Sequence, residues 1–323
     1  MGEKEQEVEI IRLLKAGAGY TSGQSLSASL GVSRTAVWKH IEALRKMGYA
    51  IEASPSKGYR LLEARPFNGV ELQTLLSGKL FGREVHFFDS IDSTNAKAFE
   101  LAREGAPEGT IVVAETQTRG KGRIGRKWES PAGMNLYLSV ILRPKVAPQG
   151  AQGLTFVAAV AAAEAVSASG VKPAVKWPND ILIGGRKTAG ILLEMDSEPD
   201  RVHFVVAGIG VNLNARRDMF PEYIKDTATS LFEETGSSID RGLFTARLLS
   251  SMERWYGVYL SEGFVPVLEA WKGSFRTVGK PVKVTFFDRT IEGICAGVDS
   301  DGALLLEREG RLERIISGDV EAL

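Results

Sequence analysis

The chain is short of cysteine, of net charge and of any apolar run long enough for a bilayer. Its one cysteine, Cys295, has no partner for an internal disulfide and fits a reducing compartment. Forty Lys and Arg balance forty Asp and Glu, so contact with nucleic acid must come from a local cluster of cations. The longest apolar stretch, around Leu154 to Val166, is alanine-rich, contains Glu164 and is too short to cross a membrane. The opening residues are acidic and polar, which is wrong for a signal peptide. There is no internal repeat and no low-complexity segment. What is present is an ordinary globular composition, 44% apolar and 25% charged over 323 residues. The expectation is a soluble, cytoplasmic protein of two or three domains with no membrane partner.

The first 65 residues are patterned as helices. Val8, Ile11, Leu13 and Leu14 form one apolar stripe, which Gly17 and Gly19 end. A second helix is expected from Gly23 to Leu30, with Leu26 and Leu30 facing inward. Gly31-Val32-Ser33 then makes a tight turn, with Ser33 as the N-cap of a third helix. Val37, Ile41 and Leu44 have core spacing there, while Arg34, Thr35, Lys39, His40 and Arg45 are expected on the outer face. Two short β-like runs, Tyr49 to Ala53 and Gly58 to Leu62, close the unit across a turn at Ser54 to Lys57. This order is that of a winged helix-turn-helix, with the motif over residues 23–42. A three-helix protein-binding module is the alternative. The cations of the third helix, with Glu42 as its one internal acid, favour a phosphate-lined groove. Ser33, Arg34 and Thr35 would aim donors at DNA, and Lys57 and Arg60 would lie on the wing.

Beyond Glu71 the pattern is mixed. Strands are expected at Val85 to Phe88, Thr110 to Glu115, Asn135 to Leu142, Ala174 to Trp177, Asp180 to Ile183, Ala189 to Met195 and His203 to Val211. Helices are expected at Asn95 to Arg103, Leu154 to Ala168, Arg241 to Leu260 and Val265 to Lys272. Strands often follow one another directly, which favours an α+β, multidomain fold over a doubly wound sheet. From about Gly279, four short strands broken by Asp288-Arg289, Asp299 to Gly302 and Glu309-Gly310 suggest a small β-barrel.

The most informative segment runs from Glu115 to Trp128. Gly120, Gly122 and Gly125 match a dinucleotide-binding G-x-G-x-x-G after a strand, yet Ser130 to Gly133 break the helix that must follow. The Rossmann reading therefore fails. Arg119, Lys121, Arg123, Arg126 and Lys127 put five cations in nine residues, which repel one another unless an anion lies between them. The glycines admit that anion to the backbone amides, and Trp128 offers a stacking surface for a base. A plain solvated basic turn is the alternative. A second cluster, Lys176-Trp177-Pro178-Asn179-Asp180 followed by Arg186-Lys187-Thr188-Ala189-Gly190, is no Walker loop, because Arg186 stands where a glycine is required. Asn179 and Asp180 are either a plain turn or, with Lys187, a grip on a carboxylate and a metal-bound triphosphate. Gly208 to Asn214 is read equally as a close-packed strand or as part of a site. Asp92-Ser93-Thr94-Asn95 is a helix cap that also directs hydroxyls. Cys295 has no histidine nearby in sequence and is not expected as a nucleophile.

Taken together, Ser93-Thr94-Asn95, Gln117 with the Gly120 to Arg126 loop, Lys176 to Asp180 and Arg186 to Gly190 resemble the biotin protein ligase family. The N-terminal module is similar to that of the bifunctional bacterial members that also repress transcription of biotin genes. The resemblance implies a DNA-binding domain over 1–65, a catalytic domain over 66–274 with the fold of class II aminoacyl-tRNA synthetases, and an SH3-like barrel over 275–323. It implies biotin contacts from Ser93, Thr94, Asn95, Gln117, Arg123, Lys187, Gly190 and the backbone of Gly120, Lys121 and Gly122. The nucleotide is expected at Arg123, Arg126, Trp128, Lys176, Asn179 and Asn212, and catalysis at Lys187, Arg123, Lys121 and Asp180. Substrates would be biotin and ATP, with Mg2+ carried mainly by the phosphates. Partners would be a biotin carboxyl carrier domain, operator DNA and a second copy in a dimer promoted by biotinyl-5′-AMP. A lipoate ligase and a repressor with an inactive enzyme domain are the rivals. The family loop is usually Gly-Arg-Gly-Arg; here Lys121 replaces the first arginine, keeping the charge and losing its fork. Arg119 also stands where small residues are common.

Overall fold

The computed structural model describes residues 2–17, 19–62, 67–76, 78–286 and 289–323. Two units are present, Met1–Ser77 and Gly78–Leu323. In the first, α1 (Glu3–Ala16) buries Val8, Ile10, Ile11 and Leu14, while Leu13 is only half-buried. Helix α2 (Gly23–Leu30) starts where Ser22 Oγ accepts from the Ser25 amide at 3.0 Å, and stops at Gly31 with φ +66°. Helix α3 (Arg34–Lys46) starts at Ser33, whose Oγ accepts from the Ala36 amide at 3.2 Å. Val37, Ile41 and Leu44 are fully buried between the helices. Strands β1 (Ile51–Ser54) and β2 (Gly58–Leu61) form an antiparallel hairpin.

Helix α4 (Gly69–Leu75) packs on α1 and was not expected from sequence. Its Glu71 is almost fully buried and accepts from Lys15 Nζ at 2.7 Å and Tyr49 Oη at 3.2 Å. The first unit thus continues past the domain boundary expected at 65/66, which itself lies outside the described residues, as does Asp288 of the expected Asp288-Arg289 turn.

The second unit is built on a seven-stranded mixed sheet. Its chain order is β3 (Val85–Phe88), α5 (Thr94–Arg103), β4 (Ile111–Ala114), β5 (Leu136–Leu142), α6 (Pro148–Ala151), α7 (Gly153–Ser167), β6 (Ala174–Lys176), β7 (Asp180–Ile183), β8 (Arg186–Ser197) and β9 (Val202–Val211). The spatial order is β3-β4-β5-β9-β8-β7-β6; only β3 and β4 run parallel. Helices α8 (Leu231–Thr235), α9 (Arg241–Glu262) and α10 (Phe264–Lys272) follow, with α9 and α10 packed on α7. Residues 148–167 are, by length and composition, apolar enough to cross a membrane, longer than the run expected from sequence, but 72% of that span is buried inside the protein. It is a core helix whose alanines let neighbours approach on all sides. A five-stranded antiparallel sheet ends the chain: β10 (Pro281–Thr285), β11 (Thr290–Val298), β12 (Leu304–Arg308), β13 (Arg311–Ile315) and β14 (Asp319–Ala322). Sequence reading found four of these strands and missed β14, which pairs with β10.

Glu115, just after β4, receives both guanidinium nitrogens of Arg241 at 2.7 and 2.9 Å and the Gly133 amide at 3.0 Å. The side chains are only 14% and 20% exposed. Removing one partner strands the other charge, so Arg241→Ala is expected to lower the unfolding free energy by about 2–3 kcal/mol. Urea denaturation measures this; a loss below about 0.5 kcal/mol would show the pair to be structurally idle.

Candidate functional site

A cleft opens over the face of β5, β8 and β9. Its floor is made by absent side chains. Gly190 of β8 and Gly210 of β9 are cross-strand partners, and Gly208 lies two residues along on the same face. The Trp128 ring lies against Gly210, where a Cβ would come within 2.5 Å of it, and the ring also borders Gly190. A Cβ on Gly208 would lie 2.0 Å from Asn95 Oδ1. The Gly208 to Asn214 run is therefore part of the site at its two glycines.

One end of the cleft is polar and uncharged. Ser93 caps α5, and Thr94 and Asn95 form its first turn, all three buried. Gln117 Oε1 accepts from the Thr94 amide at 2.8 Å and hydroxyl at 3.1 Å, and its Nε2 donates to Ser130 Oγ at 3.0 Å. Asn95 Nδ2 donates to the Leu192 carbonyl at 3.2 Å and Glu194 at 2.9 Å, while its Oδ1 accepts from Ser139 Oγ at 2.6 Å. Both hydrogens are committed, which fixes the amide orientation.

The other end is cationic. The Gly184-Gly185 turn joining β7 to β8 has φ of +56° and +82°, and it folds Lys187 back toward Asp180 at 2.7 Å. Lys176 Nζ stands 3.8 Å from the other Asp180 oxygen. Lys187 Nζ also sits 5.5 Å above the Trp128 ring. Trp128 Nε1 is buried without a hydrogen-bond partner among the described residues. Asn179 follows the cis Trp177-Pro178 bond; it donates to the Ile191 carbonyl at 2.6 Å and accepts from Arg123 at 3.1 Å.

The glycine loop lies over this end, in a short 3-10 turn from Arg123 to Gly125 and not a helix. Exposed Ile124 adopts φ +53°, a left-handed conformation costly for a β-branched residue. The expectation that its cations need a bound anion is corrected here. Arg119 meets Asp92 at 3.3 Å, Lys121 meets Glu194 at 3.3 Å, and Arg126 pairs with Asp319. Arg123 donates to the Gly318 carbonyl at 3.4 Å as well as to Asn179. Burial pulls the Arg123 pKa below the usual guanidinium range, with Asp319 and Asp180 opposing. Protein carboxylates and carbonyls already balance much of the loop charge.

Several residues expected in the site stand outside its lining. Asn212 donates its amide to the Thr229 carbonyl at 3.0 Å. Gly120 serves packing, since a Cβ there would meet the Trp128 carbonyl at 2.4 Å. Lys176 reaches the cleft only through Asp180. Sequence reading missed Ser139, Glu194 and Asp319. The first two were detectable as lone polar residues in the apolar strands LYLSVIL and ILLEM. Asp319 carried no local signal.

In the first unit, Arg34, Thr35 and Lys39 are exposed on α3, and Trp38, not singled out from sequence, is 53% exposed among them. His40 is not on that face. Its side chain is 13% exposed and stands 4.0 Å from Glu7, whose own pKa is raised by burial against the pull of His40. Arg45 is also withdrawn, donating to the Ile51 carbonyl at 2.7 and 3.0 Å. Lys57 and Arg60 lie over the Tyr20 ring at 5.7 and 4.9 Å.

A model of the Biotin/lipoate A/B protein ligase family matches residues 87–212, an HTH domain model matches 7–60, and the Biotin protein ligase C terminal domain matches 277–322. The bifunctional ligase/repressor BirA of Bacillus subtilis is 43% identical over 310 residues, 95% of each chain. That of Escherichia coli is 36% identical over 314 residues, 97% of this chain and 96% of its own. A biotin protein ligase from Aquifex aeolicus, solved with biotin and ATP, superposes with a TM-score of 0.65 at 29% identity, covering 75% of this chain and 99% of that one.

Proposed function

The chain belongs to the biotin protein ligase family, among its bifunctional ligase/repressors, and from that premise we propose how its residues divide the work. The carrying observation is that segments 93–95, 117–128, 179–192 and 208–210 converge on one cleft with a neutral polar end and a cationic end. That polarity matches biotin, a ureido head on an apolar tail ending in a carboxylate.

Ser93, Thr94 and Gln117 receive the ureido group, with Asn95 held as wall by Ser139 and Glu194. Lys187 binds the biotin carboxylate and then the acyl phosphate, with the Asp180 carboxylate 2.7 Å from its ammonium. A carboxylate oxygen attacks the α-phosphorus of ATP, the bond to the leaving pyrophosphate breaks, and biotinyl-5′-AMP forms. Lys187, Arg123 and Lys121 neutralise charge as it develops. Trp128 offers its ring to the nucleotide, and Arg126 and Asn179 border it. A carrier-domain lysine amine then attacks the mixed anhydride carbonyl and AMP leaves. The loop keeps water from the anhydride meanwhile. Mg2+ enters as Mg-ATP. The triphosphate holds it in the main; among the described residues no three potential protein ligands cluster, and Asp180 and Asp319 are paired with cations.

Radiolabelled biotin, ATP and an apo carrier domain test this together. Label transfer is expected, and transfer of lipoate instead would replace the reading.

The helix-turn-helix unit is assigned as a winged module within Met1–Ser77, and the five-stranded sheet as an SH3-like barrel over 275–323, leaving 78–274 as the catalytic domain with a class II synthetase-like fold. Helix α3 would enter the major groove through Arg34, Thr35, Trp38 and Lys39. One such module reads a half-site, so operator binding as a dimer promoted by biotinyl-5′-AMP completes the assignment. Against a duplex selected from a random-sequence pool, R34A/K39A is expected to weaken binding more than tenfold. It should lower the slope of log K against log salt by about 2, since each lost phosphate contact removes about 0.9. Adenylate formation should be unchanged. An unaltered salt slope would remove these residues from the DNA interface.

A further inference from the structure

Each of three loop cations is met by a carboxylate from a different part of the fold: Asp92 ahead of α5, Glu194 on β8 and Asp319 on β14. Glu194 differs from the other two in what else it holds. Its Oε1 faces Lys121 Nζ at 3.3 Å, and its Oε2 accepts from Asn95 Nδ2 at 2.9 Å. Asn95 is 4% exposed and in turn accepts from Ser139 in β5. One carboxylate therefore ties the glycine loop to the sheet that floors the cleft. The backbone of Glu194 is paired with Val206 of β9, which fixes its position on the sheet. No substrate-facing role is open to it, because both oxygens are engaged.

We propose that Glu194 is a positioning residue that latches the loop through Lys121, and that this latch sets how long the acyl-adenylate is retained. The inference rests on the ligase reading above and deepens it. It also gives a reason for the lysine at 121. A single ammonium reaches one carboxylate oxygen and leaves the other for Asn95, whereas a forked guanidinium would compete for both. The Lys121 and Glu194 side chains are 48% and 31% exposed. A pair of that exposure contributes a modest, salt-screened interaction, so the latch is reversible and its loss corresponds to a factor of roughly two to five.

The test uses the full chain charged with radiolabelled biotin and ATP, then diluted into unlabelled biotin, with release of labelled biotinyl-AMP followed over time. E194Q keeps an acceptor for Asn95 and removes the charge. Its release is expected to be about two- to fivefold faster, at unchanged biotin affinity without ATP. Wild-type release should accelerate with added salt, and E194Q release should respond much less. Release from E194Q at the wild-type rate and salt response overturns the proposal. So does a parallel fall in biotin affinity, which would place the effect at Asn95 and not at the loop. Failure of the wild-type chain to form any adenylate, seen before a variant is tested, would instead overturn the ligase reading.

Discussion

Lys187→Ala is expected to abolish biotinyl-5′-AMP formation, with a fall in pyrophosphate release of at least about 10²–10³-fold. The size follows from position. Lys187 is the cation at the meeting point of the neutral and charged ends of the cleft, held at 2.7 Å by Asp180 and seated over Trp128. A cation fixed before the reaction stabilises developing charge without solvent reorganisation, and Ala leaves nothing in its place. Lys176 does not substitute, since it stands 3.8 Å from the far Asp180 oxygen and outside the lining. The variant also leaves Asp180, whose side chain is 9% exposed, with one weaker partner. Thermal unfolding therefore accompanies the kinetics, and Lys187→Arg serves as the control that keeps charge at altered geometry. Pyrophosphate release from a folded Lys187→Ala protein within tenfold of wild type would remove Lys187 from the chemistry.

The second large effect is expected from adding one methyl group to the floor. In Gly208→Ala the new carbon would overlap Asn95 Oδ1 at 2.0 Å, and in Gly210→Ala the Trp128 ring at 2.5 Å. Neither neighbour is a flexible chain end. Asn95 is pinned by Ser139, Leu192 and Glu194. The indole is a rigid ring lying against the sheet. Overpacking of this kind costs about 1–3 kcal/mol, which as lost affinity is roughly five- to 150-fold. The two variants should fail differently. Gly208→Ala disturbs the ureido end and should raise the biotin dissociation constant. Gly210→Ala displaces Trp128 and should lower the adenylation rate with a smaller change in biotin affinity. Calorimetric titration with biotin and a pyrophosphate assay separate them. Equal losses in both measurements for both variants would mean general unfolding of the sheet and not two subsites.

How much of the site was legible follows the distance between the residues involved. Ser93, Thr94, Gln117, Arg123, Trp128, Asn179, Asp180, Lys187 and Gly190 were all read from short motifs, and all line the cleft. Asn212 was drawn in by the Gly208 to Asn214 motif, but past Gly210 its amide serves the Thr229 carbonyl. His40 was placed on the DNA face by helical spacing; its packing toward Glu7 depends on α1, which spacing within α3 cannot report.

Sequence by itself determined the local units: the serine cap at Ser33, a cap at Ser93 or Thr94, the apolar periods of α1 to α3, the strand runs of the two larger sheets except β14, and the failure of the dinucleotide fingerprint at Pro131. These are set by interactions within a few residues, where side-chain spacing and turn chemistry are visible in the string itself. The tertiary structure alone decided what the charged loop faces. Its partners Asp92, Glu194 and Asp319 lie 27, 73 and 193 residues from the cations they meet (119 − 92, 194 − 121, 319 − 126). β14, which brings Asp319, is recognisable only once β10 is there to pair with it. Strand register and sheet order fix those meetings, and no local pattern encodes them.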